Sequence, residues 1–453
     1  MRNVSHLIST KMNHRLNCKK LCPVVFTLCV LSAFCCCQHH AGGRELKSDA
    51  IPRDSQMYLF VTKQLPYYRI PAIAMTRKGT LVAVADYRYG GTDIGWGTVE
   101  LHCRTSADNG LTWTDASEFT HGDKDMTTHP NYNAAYGDPC IVADRTSDKI
   151  LVMSCSGNTP FYAGTRELHQ GIARFYSTDE GKTWSDPDNL QDAFYGLFDG
   201  SARGPIRSMF IGSGKIHQSR FVRTGKYYRL YCSVLAKDKD GVNCNYVLWS
   251  DDFGESWQVL GDINTPAIPR DADEPKVEEL PDGSVVCSSR VTGGRYYNIF
   301  KYTDVRKAEG SWGTYAASNQ ENQGVVAIGN SCNGEILIVP ARRNSDGKKV
   351  DIALQSVPFG PGRSNVGIYY KVLDEPSDYD TPEHFASQWD GRYQSTALPS
   401  AYSTFCLGHD GKLYFLFEET TFGFDYTLVF KPYTISLLTE GKYQVLPNRK
   451  KRR

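Results

Sequence analysis

An eight-residue pattern that occurs three times constrains the fold of this chain more than any other feature of its sequence. Each copy reads S-x-D-x-G-x-x-W, and the copies begin at Ser106, Ser177 and Ser250. The interval between successive copies is therefore nearly constant. Ser and Asp side chains close tight turns by bonding to backbone N–H groups, and Gly supplies a positive φ angle. The pattern predicts a hairpin that is built once in each of several similar units.

Short apolar runs beside turn signals predict strands throughout the body of the chain, and no convincing helical periodicity is present. The runs before the three hairpins are Leu101–Thr105, Ile172–Tyr176 and Tyr246–Trp249. Further turns that open apolar runs lie at Arg77–Gly79, Pro281–Gly283 and His409–Gly411, and an incomplete hairpin copy lies at Thr303–Trp312. Repeated units of this kind predict a β-propeller. The interval between copies exceeds the length of common blades, so we expect long loops, where a site would be built.

The composition excludes several classes of protein. Lys and Arg total 51 and Asp and Glu total 50, so the formal net charge of +1 lacks the excess expected of a general nucleic-acid binder. The 27 Tyr, 20 Phe and 7 Trp residues argue against a disordered chain. The only long apolar run lies near the N-terminus, which excludes a protein with several membrane spans.

The N-terminal residues have the pattern of an export signal. A basic start precedes the apolar stretch Leu21–Phe34, which is too short for a comfortable membrane span. Cys35 follows directly and suggests a lipoprotein anchor as an alternative, although Phe34 departs from the small residue expected there. We expect an exported protein, whether periplasmic, secreted or lipid-anchored at the cell surface. The expected organisation is a leader at 1–37, a linker at 38–60, a propeller at 61–447 and a basic tail at 448–453.

The cysteines do not favour a metal site. Six of the 14 lie in the leader, and the other eight form no C-x-x-C pair, so zinc is not indicated. Cys232 and Cys244 are the one local candidate for a disulfide, with buried free thiols as the alternative. The hairpin pattern is similar to a calcium loop but lacks the acidic twelfth residue, so we expect no metal.

Five motifs occur in a fixed order along the chain. They are Tyr68–Pro71, Asp86–Arg88 with Asp93, Asp273–Glu274 with Arg290, Ser356–Pro358 with Arg363, and Ala401–Thr404. In this order they resemble the motifs of the exo-α-sialidases (neuraminidases) of bacterial type, from about Tyr67 to Tyr433. The hairpins then correspond to the Asp boxes of that family. The resemblance implies an all-β fold, a six-bladed β-propeller with Asp-box hairpins.

The resemblance assigns three arginines to the substrate carboxylate: Arg69, Arg290 and Arg363. Sialic acid carries that carboxylate on its anomeric carbon, and guanidinium groups hold carboxylates with bidentate, charge-assisted bonds. Arg342 and Arg343 compete with Arg363, but the residues after them do not continue the motif.

The resemblance also assigns three catalytic residues. Asp93 follows Arg69 at the interval that the family keeps for its acid/base, and Glu274 precedes Arg290 at the interval kept for the general base. Tyr402 corresponds to the nucleophile. A neutral phenol avoids the repulsion that a carboxylate would meet at this carbon, and sialidases with a Tyr nucleophile are a known exception among glycosidases. Retention through a sialyl-tyrosine is the expected outcome.

Further positions follow from the same resemblance. Arg88 corresponds to an arginine beside the acid/base, and Asp138 to a residue near the polar ring groups of the substrate. Asp273 stands where many members have Asn, and a carboxylate there would raise the pKa of Glu274. The stretch before Tyr402 is longer than usual, which implies an insertion around Asp374–Trp389.

The function implied is hydrolysis of terminal α-linked sialic acids on glycoproteins, glycolipids and oligosaccharides by a monomer, without metal, organic cofactor or nucleic acid. Two alternatives stay open. A trans-sialidase, or an intramolecular one that releases an anhydro product, would use the same residues. A non-catalytic glycan-binding propeller would keep the hairpins but would have no need of a base beside Tyr402.

Overall fold

The strands of the chain form six separate sheets of four or five strands, which are the blades of a β-propeller. The computed structural model describes residues 56–446, so the predicted leader at 1–37 and basic tail at 448–453 lie outside the described residues. Within 56–446, no helix is long and apolar enough to cross a membrane. The predicted six-bladed, all-β architecture is confirmed.

The first strand, β1 (Met57–Phe60), belongs to the last blade, and the next strands form blades 1 to 3. Blade 1 contains β2 (Tyr67–Met75), β3 (Leu81–Arg88), β4 (Val99–Ser106) and β5 (Ser117–Glu118). Blade 2 contains β6 (Tyr136–Ala143), β7 (Ile150–Ser156), β8 (Gly171–Ser177), β9 (Asp188–Asn189) and the parallel β11 (Gly214–Lys215). Blade 3 contains β10 (Ser208–Ile211), β12 (His217–Thr224), β13 (Tyr227–Lys237), β14 (Asn243–Ser250) and β15 (Gln258–Val259). Strand β11 thus returns to blade 2 after β10 has entered blade 3.

The last three blades complete the ring. Blade 4 contains β16 (Pro275–Glu279), β17 (Val285–Val291), β18 (Gly294–Asp304), β19 (Glu309–Trp312) and β20 (Ala316–Ser318). Blade 5 contains β21 (Ile336–Arg343), β22 (Lys349–Pro358), β23 (Val366–Leu373), β24 (Gly391–Gln394) and β28 (Tyr443–Val445). Blade 6 contains β25 (Ser400–Leu407), β26 (Leu413–Glu419), β27 (Thr427–Tyr433) and β1. The helices are α1 (Gln191–Gly196), α2 (Pro382–Ala386), α3 (Ile435–Leu438) and 3-10 turns at Phe161–Ala163 and Pro376–Asp378.

The ring is closed by pairing the start of the described chain with the end of its last blade. Strand β1 runs antiparallel to β27, with Met57 opposite Phe430 and Phe60 opposite Leu428. Phe60 is buried in the core between blades 6 and 1. The predicted linker at 38–60 is therefore wrong at its C-terminal end, because its last four residues form the outer strand of blade 6.

The repeated pattern forms the predicted hairpins, which join the two outermost strands of blades 1 to 3 (β4–β5, β8–β9 and β14–β15). In blade 1, Ser106 Oγ accepts from the N–H of Gly110 at 2.9 Å and donates to Asp108 Oδ1 at 2.8 Å. Asp108 Oδ1 also accepts from the N–H of Thr112 at 2.9 Å. Asn109 and Gly110 both have positive φ, at 59° and 83°. One such hairpin per blade explains the nearly constant interval between copies.

The incomplete fourth copy is also a hairpin, joining β18 and β19 of blade 4. Asp304 accepts from the backbone N–H groups of Arg306 and Lys307. Trp312 is buried, and its Nε1 donates to the carbonyl of Leu260 at 3.2 Å. This copy keeps the acidic turn and the tryptophan anchor, although the serine is missing.

The eight cysteines of the described region are free thiols, and seven of them are buried. Cys232 lies opposite Leu248 in the β13–β14 ladder, whereas Cys244 lies opposite Ala236. The disulfide candidate is therefore wrong, and the alternative of buried free thiols is correct.

The region around Asp374–Trp389, expected as an insertion, contains a 3-10 turn and α2 and packs on blade 4. Phe385 meets Tyr297 edge to face at 5.0 Å between ring centres, and Trp389 stacks on Tyr297 at 6.0 Å. Helices as short as α1, α2 and α3 leave no periodic pattern in a sequence.

Gly110 gives a test of the hairpin packing. A Cβ at Gly110 would lie 2.5 Å from the ring of Phe430 in blade 6, whereas a Cβ at Gly225, which has a similar φ of 84°, would meet no atom within 4 Å. Gly225→Ala measures the cost of placing a Cβ at positive φ alone, about 1 kcal/mol. We expect Gly110→Ala to lower the free energy of unfolding by a further amount of about 1 kcal/mol or more, as at other overpacked sites. Equal losses in thermal denaturation would contradict this packing.

Candidate active site

One cleft of about 200 Å³ collects every residue that the sequence predicted for the site. These residues are Arg69, Arg88, Asp93, Asp138, Glu274, Arg290, Arg363 and Tyr402. They come from blades 1, 2, 4, 5 and 6, and Phe210 and Leu235 add blade 3 to the lining. A cleft lined by all six blades lies where the blades meet, so the propeller brings together residues from nearly opposite ends of the described chain.

The Asp-box hairpins lie away from this cleft. Strand β4 begins at Val99, after the loop that carries Asp93, and ends at Ser106 in the first hairpin. An extended strand of this length spans about 25 Å. The hairpin of blade 1 is therefore at the opposite end of its blade from the cleft, as expected of a fold marker.

A buried phenol is hydrogen-bonded to a carboxylate at the base of the cleft. Tyr402, which is 8% exposed, donates its O–H to Glu274 Oε1 at 2.7 Å. Arg290 Nη1 donates to Glu274 Oε2 at 2.6 Å and to the phenol oxygen at 3.1 Å. Burial raises the pKa of Tyr402 well above its usual value, the Glu274 carboxylate raises it further, and Arg290 opposes them. The phenol is therefore neutral in the free protein, with an acceptor for its proton in contact.

Strand pairing explains why Glu274 and Arg290 meet. Glu274 directly precedes β16, Arg290 lies on β17, and the two strands form a hairpin. The N–H of Arg290 donates to the carbonyl of Glu274 at 3.1 Å, so the two residues lie opposite each other. The interval between them in the sequence is therefore the length of this hairpin.

Three guanidinium groups surround Tyr402. Arg290 contacts its oxygen, and the Cζ atoms of Arg69 and Arg363 lie 5.9 and 5.6 Å from the centre of its ring. The carboxylate of a ligand that entered here would meet positive charge from three blades.

The competing arginines lie elsewhere. Arg342 lies opposite Lys349 within the β21–β22 ladder, and Arg343 is paired with Asp346 at 2.9 Å and with Asp374. Of the three candidates, Arg363 is the one that lines the cleft.

The sequence reasoning assigned no role to Glu418, although this carboxylate organises the cleft. Glu418 is buried, and it accepts from Arg69 Nε at 2.7 Å, from the N–H of Ile70 at 2.9 Å and from the N–H of Tyr402 at 3.0 Å. Ile70 has φ = 50°, an unusual value for a β-branched residue. The sequence feature that could have identified Glu418 is a carboxylate within the otherwise apolar strand Leu413–Glu419, because a buried charge needs partners.

Arg88 connects Asp93 to the protein interior. Its Nη2 lies 2.8 Å from Asp86 Oδ2 and 3.0 Å from Asp93 Oδ1. Arg88 and Asp86 are buried, whereas the Asp93 side chain is 58% exposed at the cleft mouth. Burial raises the pKa of Asp86 to about 6, and Arg88 opposes this shift. Asp86 is a second residue to which the sequence assigned no role.

Asp138 presents an unused acceptor beside the Asp86–Arg88 pair. Its backbone N–H donates to Asp86 Oδ1 at 2.8 Å, and among residues 56–446 no group donates to its Oδ2. Burial raises the pKa of Asp138 well above its usual value, with Asp93 as the next cause. Gln170, also buried in this lining, has a similarly unpartnered Oε1 in the described part of the chain. Buried polar atoms without partners in a cleft favour a ligand that carries donors.

Irregular strand pairing places several of these groups. The ladders of β2, β6 and β25 each shift register beside a cleft residue, at Arg69, Asp138 and Tyr402. Asp138 also has a positive φ of 54°. Bulges redirect side chains and are common next to functional sites.

Asp273 takes part in the same charge network. Its Oδ2 lies 3.1 Å from Arg290 Nε, and its Oδ1 accepts from the N–H of Glu274 at 2.9 Å. Burial and the neighbouring Glu274 raise the pKa of Asp273 itself.

Comparison with known proteins agrees with this arrangement. The family described as a BNR repeat-like domain matches residues 79–370, which is more than half of the chain. The chain belongs to the bacterial-type sialidase family. A sialidase of Paraclostridium sordellii is 24% identical to this family member over 359 residues, which cover 78% of this chain and 81% of that protein.

Two solved structures show the same fold. The Hadza microbial sialidase Hz136 superposes with a TM-score of 0.64 at 21% identity. The match covers 82% of this sialidase-family chain and 66% of Hz136. An intramolecular trans-sialidase from Ruminococcus gnavus also has a TM-score of 0.64, at 17% identity, covering 84% of this chain and 96% of its own.

Replacing Glu418 tests its role in the site. We expect Glu418→Gln to lower the free energy of unfolding by about 3 kcal/mol, because it removes one partner of a buried ion pair. Sialic acid should also bind more weakly, because the amide carries no charge opposite Arg69 and replaces one of the two acceptor oxygens with an NH2 group. Glu419→Gln is the matched control, since Glu419 is buried on the same strand but accepts from Thr421. Equal losses of binding in calorimetry for both variants would contradict the assignment.

Proposed function

We propose that this protein is an exo-α-sialidase that hydrolyses terminal α-linked sialic acids of glycoproteins, glycolipids and oligosaccharides with retention of configuration. The observation that carries the proposal is the hydrogen bond of 2.7 Å between the Tyr402 phenol and Glu274, with three guanidinium groups around that phenol. Family membership supports the substrate class.

Binding orients the sugar by its charge. Arg69, Arg290 and Arg363 hold the carboxylate on the anomeric carbon, which places that carbon next to the Tyr402 oxygen. Asp138 and Gln170, whose buried acceptors have no partner in the described residues, accept hydrogen bonds from polar substituents of the sugar. A neutral phenol approaches the anionic substrate without the repulsion that a second carboxylate would cause.

In the first step Glu274 takes the Tyr402 proton as the phenol oxygen bonds to the anomeric carbon. The bond between that carbon and the glycosidic oxygen breaks, and Asp93 protonates the departing oxygen. In the second step Asp93 takes a proton from water, the water oxygen bonds to the anomeric carbon, and the phenol leaves and regains its proton from Glu274. Two inversions at one carbon give net retention.

Arg290 is the group that couples the base to the nucleophile. It contacts both the Glu274 carboxylate and the phenol oxygen. As negative charge moves from the carboxylate to the phenol oxygen, the same guanidinium stabilises it without rearrangement.

Hydrolysis and transfer differ in what attacks the sialyl-tyrosine. Water gives free sialic acid, an acceptor sugar gives a new sialoside, and a hydroxyl of the bound sugar gives an anhydro product. NMR of the early products of sialyllactose distinguishes the three. Free α-sialic acid as the first product supports hydrolysis. A sialylated acceptor as the main product would instead indicate a trans-sialidase, and anhydro-sialic acid would indicate an intramolecular trans-sialidase.

Tyr402→Phe removes the proposed nucleophile with little change of shape. We expect the turnover of a fluorogenic sialoside to fall about 100-fold or more, because the covalent step and its proton transfer are lost. Tyr426→Phe is the control, since this ring lies 4.7 Å from the Arg69 guanidinium but is not bonded to Glu274. Activity within a few-fold of wild type in Tyr402→Phe would assign the nucleophile elsewhere.

Asp93→Asn tests the acid. Departure of a lactose oxygen needs protonation, whereas a nitrophenolate leaves without it. We therefore expect kcat/KM for sialyllactose to fall by about 100-fold or more and kcat/KM for nitrophenyl sialoside to fall much less. Equal losses on the two substrates would exclude Asp93 as the proton donor.

A further inference from the structure

Trp96 differs from every other tryptophan of the chain. It is 63% exposed, while the other six of the seven tryptophans are packed. Those six are Trp113 against Phe430, Trp184 against Phe119, Trp249 beneath Arg229, and the buried Trp257, Trp312 and Trp389. An indole is among the largest apolar groups that a protein can bury, so one held in water at the rim of a cleft points to a ligand.

The position of Trp96 is tied to the proposed acid. The N–H of Trp96 donates to the carbonyl of Asp93 at 3.0 Å, closing a tight turn. Both residues line the cleft. In the proposed reaction Asp93 meets the glycosidic oxygen, so the group attached through that oxygen extends past Asp93. The indole therefore borders the leaving-group side of the cleft.

The rim that carries Trp96 is packed in place. Gly95 has φ = 85°, and a Cβ there would overlap the backbone of Pro160. The neighbouring segment is in turn held by Lys237, whose Nζ donates to the carbonyl of Tyr162 at 2.8 Å. The loop at Gly95 and the loop at Pro160 therefore pack without space for a methyl group, and this packing holds the turn that carries Trp96.

An indole side chain favours an uncharged sugar ring as its ligand. The face of an aromatic ring is negative, so it attracts the weakly positive C–H groups on the apolar face of a pyranose. Asp93 lies beside Trp96 in the lining of the cleft, and its carboxylate disfavours an anionic group at this end.

We propose that Trp96 is the platform for the sugar to which sialic acid is attached, and that it favours sialosides with a neutral hexopyranose in that position. The inference rests on the proposed sialidase function and adds the nature of the leaving group. Trp96 is here a specificity-determining residue that contacts substrate and takes no part in bond making.

The test compares substrates that differ only in the leaving group. For Trp96→Ala we expect KM for 3′-sialyllactose to rise about 3- to 10-fold, the range of one stacking contact, with kcat/KM for methyl α-sialoside unchanged. Trp96→Phe should recover part of the loss. Phe221→Ala, at a ring 53% exposed outside the cleft, should change neither substrate.

A binding measurement gives a second readout. In Tyr402→Phe, in which we expect turnover to be slow, 3′-sialyllactose should protect the exposed indole from quenching by acrylamide, and methyl α-sialoside should not. Equal protection by the two ligands, or equal losses of both activities in Trp96→Ala, would overturn the platform. Failure of the wild-type protein to cleave any sialoside would instead refute the proposed function, while the quenching comparison would still decide the role of Trp96.

Discussion

The buried carboxylate of Glu418 joins the first and last blades at the point on which the cleft depends. It accepts from the Arg69 side chain and the Ile70 backbone of blade 1, and from the Tyr402 backbone of blade 6. A buried carboxylate with three donors is stable only while all of them stay in place. The ladder between β1 and β27 also holds the first and last blades together. The positions of Arg69 and Tyr402 in the cleft therefore depend on closure of the ring.

The cleft combines a rigid base with a more exposed rim. Tyr402, Glu274 and Arg290 are fixed at or beside inner strands by direct contacts, and the phenol is kept neutral by burial. Asp93 and Trp96 lie on the loop between β3 and β4 that lines the mouth, where the proposed reaction places the leaving group. In this proposal, residues of the blades recognise sialic acid, and the loop that carries Trp96 recognises the sugar to which sialic acid is attached.

The hairpins could be predicted because they depend on residues that are close together in the sequence. Ser106 and Asp108 act on their own turn, and the spacing between Glu274 and Arg290 is the length of one hairpin. Strand β1 could not be predicted, since Met57–Phe60 is short and pairs with residues near the far end of the described chain. Glu418 was missed because its partners on blade 1 are equally distant, and the bulges beside Arg69, Asp138 and Tyr402 leave no pattern in the sequence.

The proposed mechanism requires that Tyr402 forms a covalent bond to the anomeric carbon of sialic acid. A 2,3-difluorinated sialic acid slows the breakdown of such an adduct, so the adduct can be trapped on the wild-type protein, which is then digested and analysed by mass spectrometry. The proposed mechanism predicts one fluorosialyl group on the peptide that contains Tyr402. An adduct on Glu274 or another side chain, or no adduct in a protein that turns over sialosides, would contradict it.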